Sequence, residues 1–211
     1  MDSKISQLTP VITLDLTDVL PIVNGGETKK VTLAELKNNV FNSNGFYAQT
    51  ALSTPVVFAS GEASLIGTGV GTLTVPANSF KVGDSFTAKM CGQLNSANNQ
   101  IIHFRVRSNG VVIIDALQYT LPACTNKFFD LVLDFTIAKI GGAGVGELFA
   151  NGIFTHNKNA SNALEGVNFG LISNTVFSTT VNNTLTITAE WIGTDAGNTI
   201  RSQNFTLTKS Y

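Results

Sequence analysis

The sequence predicts an all-β protein: an antiparallel β-sandwich of jelly-roll type, preceded by a small module of one β-hairpin and a short helix. Three observations carry that expectation. From Val56 onward, alternating apolar runs of about 6 to 12 residues follow one another with no helical period between them. The stretch Asn98–Ala138 holds three such runs, the first two joined by Asn109-Gly110, a type I′ hairpin signal because both turn residues need positive φ. Charged residues make up only 13% of the chain, against roughly 25% in an average globular protein. Ser, Thr, Asn and Gly must therefore cover the surface, or an assembly must hide it.

The first unit is expected over residues 1–44. Ile5 and Leu8 precede Pro10, and Val11–Leu16 is a short apolar run. Asp18–Val23 reads as a strand, Asn24-Gly25-Gly26 as a turn, and Thr28–Val31 as the returning strand. Thr32-Leu33-Ala34-Glu35 is a capping box, in which Thr32 and Glu35 satisfy each other's backbone N–H groups. A helix of about Leu33–Val40 follows from it. Forty residues rarely bury enough surface to stand alone, so this unit calls for a docking partner or symmetry mates.

Residues 45–55 show no period and are expected to be a linker or neck. The sandwich is expected over 56–211. Val56–Ser60, Ala63–Ile66 and Gly71–Pro76 open it, and Asp84–Leu94 follows with Phe86, Ala88 and Met90 on one face. In Ile101–Arg107, Ile102, Phe104 and Val106 alternate with His103, Arg105 and Arg107, giving one buried and one wet face. Val111–Leu117 returns. Leu121-Pro122-Ala123 turns the chain into Phe128–Ile137, where Phe129, Leu131, Leu133, Phe135 and Ile137 share a face. Gly141–Gly144 is a turn before Val145–His156. A polar loop, Asn157–Glu165, precedes Val167–Ile172 and Thr175–Thr179. Leu185–Ile192 alternates cleanly. Thr199–Lys209 closes the chain, with apolar residues on both of its sides.

Formal net charge is −1, which gives no electrostatic footprint for nucleic acid or an anionic membrane. The N-terminus MDSKISQLTP has no hydrophobic segment of the signal-peptide kind. No apolar run approaches the ~18 residues of a membrane span, and neither secretion nor membrane insertion is expected. Cys91 and Cys124 match no zinc spacing. A disulfide between them and two free thiols are both open, and the usual burial of free cysteine favours the thiols.

No catalytic constellation is legible. The histidines are His103 and His156. His103 sits on a polar strand face beside two arginines. His156 ends a strand next to an Asn-rich loop. Asp130 and Asp134 are roughly 13 Å apart along one strand face, wider than a glycosidase carboxylate pair. They are expected to pair with Arg105 or Arg107, or to face water. The Gly141–Gly144 run lacks the lysine and helix of a phosphate loop. Sequons at Asn159, Asn182 and Asn204 follow from an Asn- and Thr-rich composition. No enzyme activity, cofactor or metal is expected.

Two segments resemble known proteins. KISQLTP and TDVLPIVNGGETKKVTLAEL, within residues 4–36, look like the short N-terminal module of phage and giant-virus tail, collar and head-fibre proteins. That resemblance implies attachment to capsid or tail proteins through Leu20, Pro21, Ile22, Val23, Lys29, Lys30, Val31, Leu33 and Leu36. Over residues 70–211, TVPANSFKVGDSF, FFDLVLDFTIAKIG, FTHNKNAS and SQNFTLTKSY resemble the jelly-roll head of viral fibre proteins, similar to tumour-necrosis-factor-like trimers. It implies a homotrimeric decoration or attachment protein on the virion surface, made in the host cytoplasm. Host glycan or protein would be met through a loop bearing His156, Asn157, Lys158 and Asn159. Strand faces carrying Phe128, Phe135 or Trp191 are candidates for the subunit interface. The alternative is a carbohydrate-binding, lectin-like or glycan-active module using the Asn157–Glu165 loop with Trp191.

Overall fold

The computed structural model describes residue 15 and residues 17–40, 45–116, 118–171, 176–193 and 195–210. Ile5, Leu8 and most of the run 11–16 lie outside the described residues. The chain divides into two compact units, Met1–Asn42 and Ser43–Tyr211. Among the described residues, no helix is long and apolar enough to cross a membrane.

In the first unit, strands β1 (Val19–Asn24) and β2 (Glu27–Thr32) form an antiparallel hairpin. Its turn needs glycine, since Gly25 and Gly26 have φ of 65° and 80°. Helix α1 (Leu33–Val40) follows directly. The capping box is present: the Glu35 N–H donates to Thr32 Oγ1 at 3.1 Å, and the Thr32 N–H donates to Glu35 Oε2 at 2.7 Å. The Thr32 N–H and the Thr32 hydroxyl both donate to Glu35 Oε2, and they hold the Glu35 carboxyl below its ordinary range. The Leu33 N–H donates to the Asp18 carbonyl, closing the base of the unit.

The second unit is an all-β sandwich, as the sequence predicts. Its strands are β3 (Gly45–Gln49), β4 (Val56–Val57), β5 (Ala63–Ser64), β6 (Gly69–Gly71), β7 (Thr74–Val75), β8 (Ser85–Ser96), β9 (Gln100–Ser108), β10 (Val111–Asp115), β11 (Tyr119–Leu121), β12 (Cys124–Lys139), β13 (Glu147–Asn157), β14 (Leu164–Leu171), β15 (Asn183–Trp191) and β16 (Thr199–Lys209). One sheet has the order β14-β13-β12-β8-β16-β3-β6, with β4 also on β16. The other has the order β10-β9-β15-β5, with β11 on β9 and β7 on β15. All pairings are antiparallel. The stretch 98–138 thus divides between the sheets: β9 and β10 lie in the smaller, β12 in the larger.

Inward-facing residues of both sheets make the core. Phe104 of β9 meets Phe154 of β13 across the sandwich, ring centroids 4.7 Å apart, and Phe129 of β12 lies 5.8 Å from Phe154. Alternation holds over the twelve residues of β8, whose even-numbered residues point inward. At β16 a bulge between Ser202 and Asn204 reverses the parity, so Ile200 and Ser202, then Phe205 and Leu207, all face the core. That bulge is why apolar residues fall on both sides of a simple alternation.

Several expected boundaries are corrected. Residues 45–49 are no linker: β3 pairs with both β16 and β6. Phe46 packs edge-on against Phe86, and the Tyr47 hydroxyl donates to the Gly67 carbonyl at 2.6 Å. β3 and β6 run so close here that a Cβ on Gly69 would lie 2.2 Å from the Ala48 carbonyl oxygen. The expected strand Gly71–Pro76 is broken: Gly71 ends β6 and Thr74–Val75 is β7, on different sheets. Val56–Ser60 bends into a 3₁₀ turn after Val57. Val176–Thr179 is a loop rather than a strand. Phe177 is buried against Phe80, and the Thr179 N–H donates to the Gly141 carbonyl, so the segment serves as a plug between turns. Leu117, Ile172 and Thr175 lie outside the described residues.

Candidate functional site

The hairpin of the first unit carries the expected anchoring residues. By register, Leu20 and Ile22 share a face with Val31 and Lys29, while Pro21 and Val23 share the other with Lys30. Leu20, Pro21, Ile22, Val23, Lys29 and Lys30 are exposed, Val23 at 76%. Val31, Leu33 and Leu36 are half-buried. A two-stranded hairpin and one short helix leave much of this apolar surface wet.

The expected ligand loop is arranged otherwise than its sequence implies. His156 is fully buried, with 0% of its surface exposed, and does not face a ligand. Even alternation places it on the inner face of β13, behind Phe154. Its Nδ1 lies 3.6 Å from Cys124 Sγ and its Nε2 lies 3.4 Å from the Tyr119 hydroxyl. Burial pushes the His156 pKa down and the Cys124 and Tyr119 pKa values up. Both members of the Cys–His pair are therefore held neutral. An activated thiolate–imidazolium pair requires the opposite shifts.

Asn157, Lys158 and Asn159 follow at the end of the sandwich, and the loop is bonded to its own surroundings. Asn157 donates from Nδ2 to the Asn162 carbonyl at 3.0 Å, and Lys158 pairs with Glu165. Asn159 accepts the Thr125 N–H and donates to Thr125 Oγ1. Lys127 Nζ donates to Asn162 Oδ1. A loop pinned by its own polar side chains has few left for a ligand.

The residues brought together most closely lie on the outer face of the smaller sheet. Arg107 makes a two-pronged pair with Glu62, at 2.8 Å from both Nε and Nη2. Arg105 Nη1 bridges Glu62 at 2.8 Å and Glu190 at 2.7 Å. Thr188 Oγ1 also donates to Glu62, at 2.7 Å. These donors, Arg107 first, pull the Glu62 pKa down to about 2. Arg105 Nη2 lies 2.8 Å from His103 Nδ1. A guanidinium only donates, so Nδ1 accepts and the ring proton sits on Nε2, where it meets Asp115. His103 is thus a polar-face residue, as expected, but covered by its neighbours. The network binds Glu62, on the short link before β5, to β9, β10 and β15. With every charged side chain bonded to another member of the network, it acts as a clamp. The alternation of His103, Arg105 and Arg107 signals a polar face, but nothing local announces Glu62 or Glu190, which lie 43 and 85 residues from Arg105.

Asp130 and Asp134 do not pair with these arginines. They lie on the outer face of the other sheet, where Asp130 is exposed and Asp134 accepts the Thr87 hydroxyl at 2.7 Å. Cys91 and Cys124 are free thiols. Cys91 points outward from β8 and Cys124 inward from β12, so no bond can join them. Trp191 is buried and donates its indole N–H to the Val56 carbonyl at 3.0 Å. It offers no stacking surface to a sugar, and neither Trp191 nor Phe135 can face another subunit. Phe128, 56% exposed, can. Between the sheets, Phe80, Phe86, Phe135, Phe177, Leu148 and Leu185 line an apolar cavity of about 60 Å³, far below the size of a ligand pocket.

No protein-family model and no curated protein matches this chain.

Proposed function

We propose that the chain is a virion structural protein, a homotrimeric head-fibre or decoration protein exposed on the particle surface. The first unit anchors it to capsid or tail proteins, and the sandwich forms a head of jelly-roll type. Repetition of weak sites over the particle then supplies avidity for a host surface. One observation carries this reading: the first unit leaves Val19, Leu20, Ile22 and Val23 in solvent, while a hairpin of two strands is marginal by itself. Such a module is suited to being completed by a partner. The sandwich adds weight, since its few charges are largely matched with one another and its outer face bears Phe128, Phe149 and Ile153 in solvent. The sequence resemblance names the setting.

Two measurements test it. Light scattering on the full chain should give three times 22.4 kDa or a multiple of that. Residues 43–211 should fold yet fail to appear on particles that incorporate the full chain, read by electron microscopy and immunoblot of purified particles. Equal incorporation of the shortened chain removes the anchor.

A further inference from the structure

Among the described residues, the sheet edges of this sandwich are blunted, with one exception. β5, β4 and β7 are two residues each, and β6 and β11 are three. β10 is interrupted by a bulge between Val112 and Ile114. Short, bulged strands resist the addition of another chain. β14 differs. Its eight residues pair with β13 in unbroken register, from Leu164 opposite Asn157 to Leu171 opposite Ala150. It contains no proline, lysine or bulge. Its one charge, Glu165, sits near the start and is matched by Lys158. Among the described residues no strand lies on its far side. Such an edge presents a row of N–H and C=O groups ready for another strand.

We propose that β14 pairs antiparallel with β14 of a second copy, about a two-fold axis at Asn168, so that one sheet runs through two sandwiches. A continuous sheet keeps both cores on the same side only if inward residues oppose inward residues. With the axis at Asn168, Val167 opposes Phe169 of the partner subunit, and Phe169 opposes the partner's Val167. These are two aromatic–β-branched pairs of the kind that stabilise sheets. Gly166 meets the partner's Gly170, and Glu165 meets the partner's Leu171, so no like charges are opposed. Moving the axis to Val167 would instead set Glu165 against the partner's Phe169 and lose both favourable pairs. Cover is the second argument for a copy of this chain. Val167 and Phe169 remain half-buried, whereas Leu148 and Phe154, inward residues of the adjacent strand, are buried. The same residues on a second copy supply the missing apolar contact.

This contact is two-fold and therefore independent of the trimer proposed above. Asn168 is exposed on the outer face, so its substitution spares the core. Asn168→Lys and Asn168→Asp each place like charges across the axis, and association should weaken at least about tenfold. Light scattering over a concentration series of the full chain is the measurement. The wild type should reach two chains, or six where the three-fold contact also forms. Each variant alone should lose the factor of two while keeping the wild-type circular-dichroism spectrum, and it should lose any concentration dependence of melting that the two-fold contact gives. An equimolar mixture of the two variants should regain the factor of two, because Lys then faces Asp. A wild type of one or three chains overturns the inference in favour of some other strand on this edge, and the three-chain result leaves the fibre-head trimer intact. Variants with unaltered mass, or a mixture that does not reassociate, overturn it as well.

Discussion

Phe154 sits where four aromatic side chains converge: Phe104, Tyr119, Phe129 and His156 all lie within 6.0 Å of its ring centre. Removing it leaves a void that strands on both sheets cannot close together. Phe154→Ala should cost about 3–5 kcal/mol, read from denaturant unfolding. His156 makes a different prediction. Burial depresses its pKa from the ordinary 6.5, so the unfolded chain binds a proton more readily than the folded one. Stability from the neutral ring is then complete above about pH 6.5 and declines as pH falls below it. Thermal melts between pH 7 and pH 5 should show this slope in the wild type and a flatter one in His156→Phe. An unchanged slope would mean that the ring reaches water.

Elements make two further predictions. Thr32 caps α1 with a reciprocal bond to Glu35. Thr32→Ala should lower helix stability by about 0.5–2 kcal/mol, visible as lost chemical-shift helicity over residues 33–40. Glu62 fastens the link before β5 to β9 and β15. Its pKa drops from 4.5 to about 2, so the clamp contributes fully above pH 4.5 and is lost as pH falls toward 2. Its side chain is 23% exposed, and solvent screening limits the gain to at most roughly 3 kcal/mol. An acid titration of Glu62→Gln should lack the wild type's loss between those pH values. Sequence alternation finds β8, β15 and the Phe129–Ile137 part of β12 because each keeps one face in the core over that length. It misses β3, whose five residues carry a register shift against β16, and the true faces of β16, whose parity changes at a bulge. Short or bulged strands carry too few residues in phase for a period to be legible.

At the scale of the whole molecule, the unit boundary lies between residues 42 and 43, and residues 45–49 belong to the sandwich rather than to a linker of 45–55. A chain of residues 43–211 should melt in one transition close to that of the sandwich in the full chain. A chain of residues 55–211 lacks β3 and leaves Phe86 and Phe205 without Phe46 and Tyr47. It should melt markedly lower, by calorimetry, or fail to fold. Equal stability of the two would mean that β3 adds nothing to the sheet.

The sequence alone determined the all-β class, the hairpin–helix module with its capping box, the β9–β10 turn at Asn109-Gly110 and the inward faces of β8, of β9 and of Phe129–Ile137 in β12. All of these depend on residues within one turn or one strand of each other, where period and local hydrogen bonding leave a readable pattern. Tertiary structure alone decided that His156 faces inward, that Trp191 belongs to the core, that Glu62 joins Arg105 and Arg107, and that β14 is an open edge. Each of those depends on which distant strands become neighbours. That pairing is selected by burial of the two sheets against one another, an energy summed over the whole sandwich and written in no single segment.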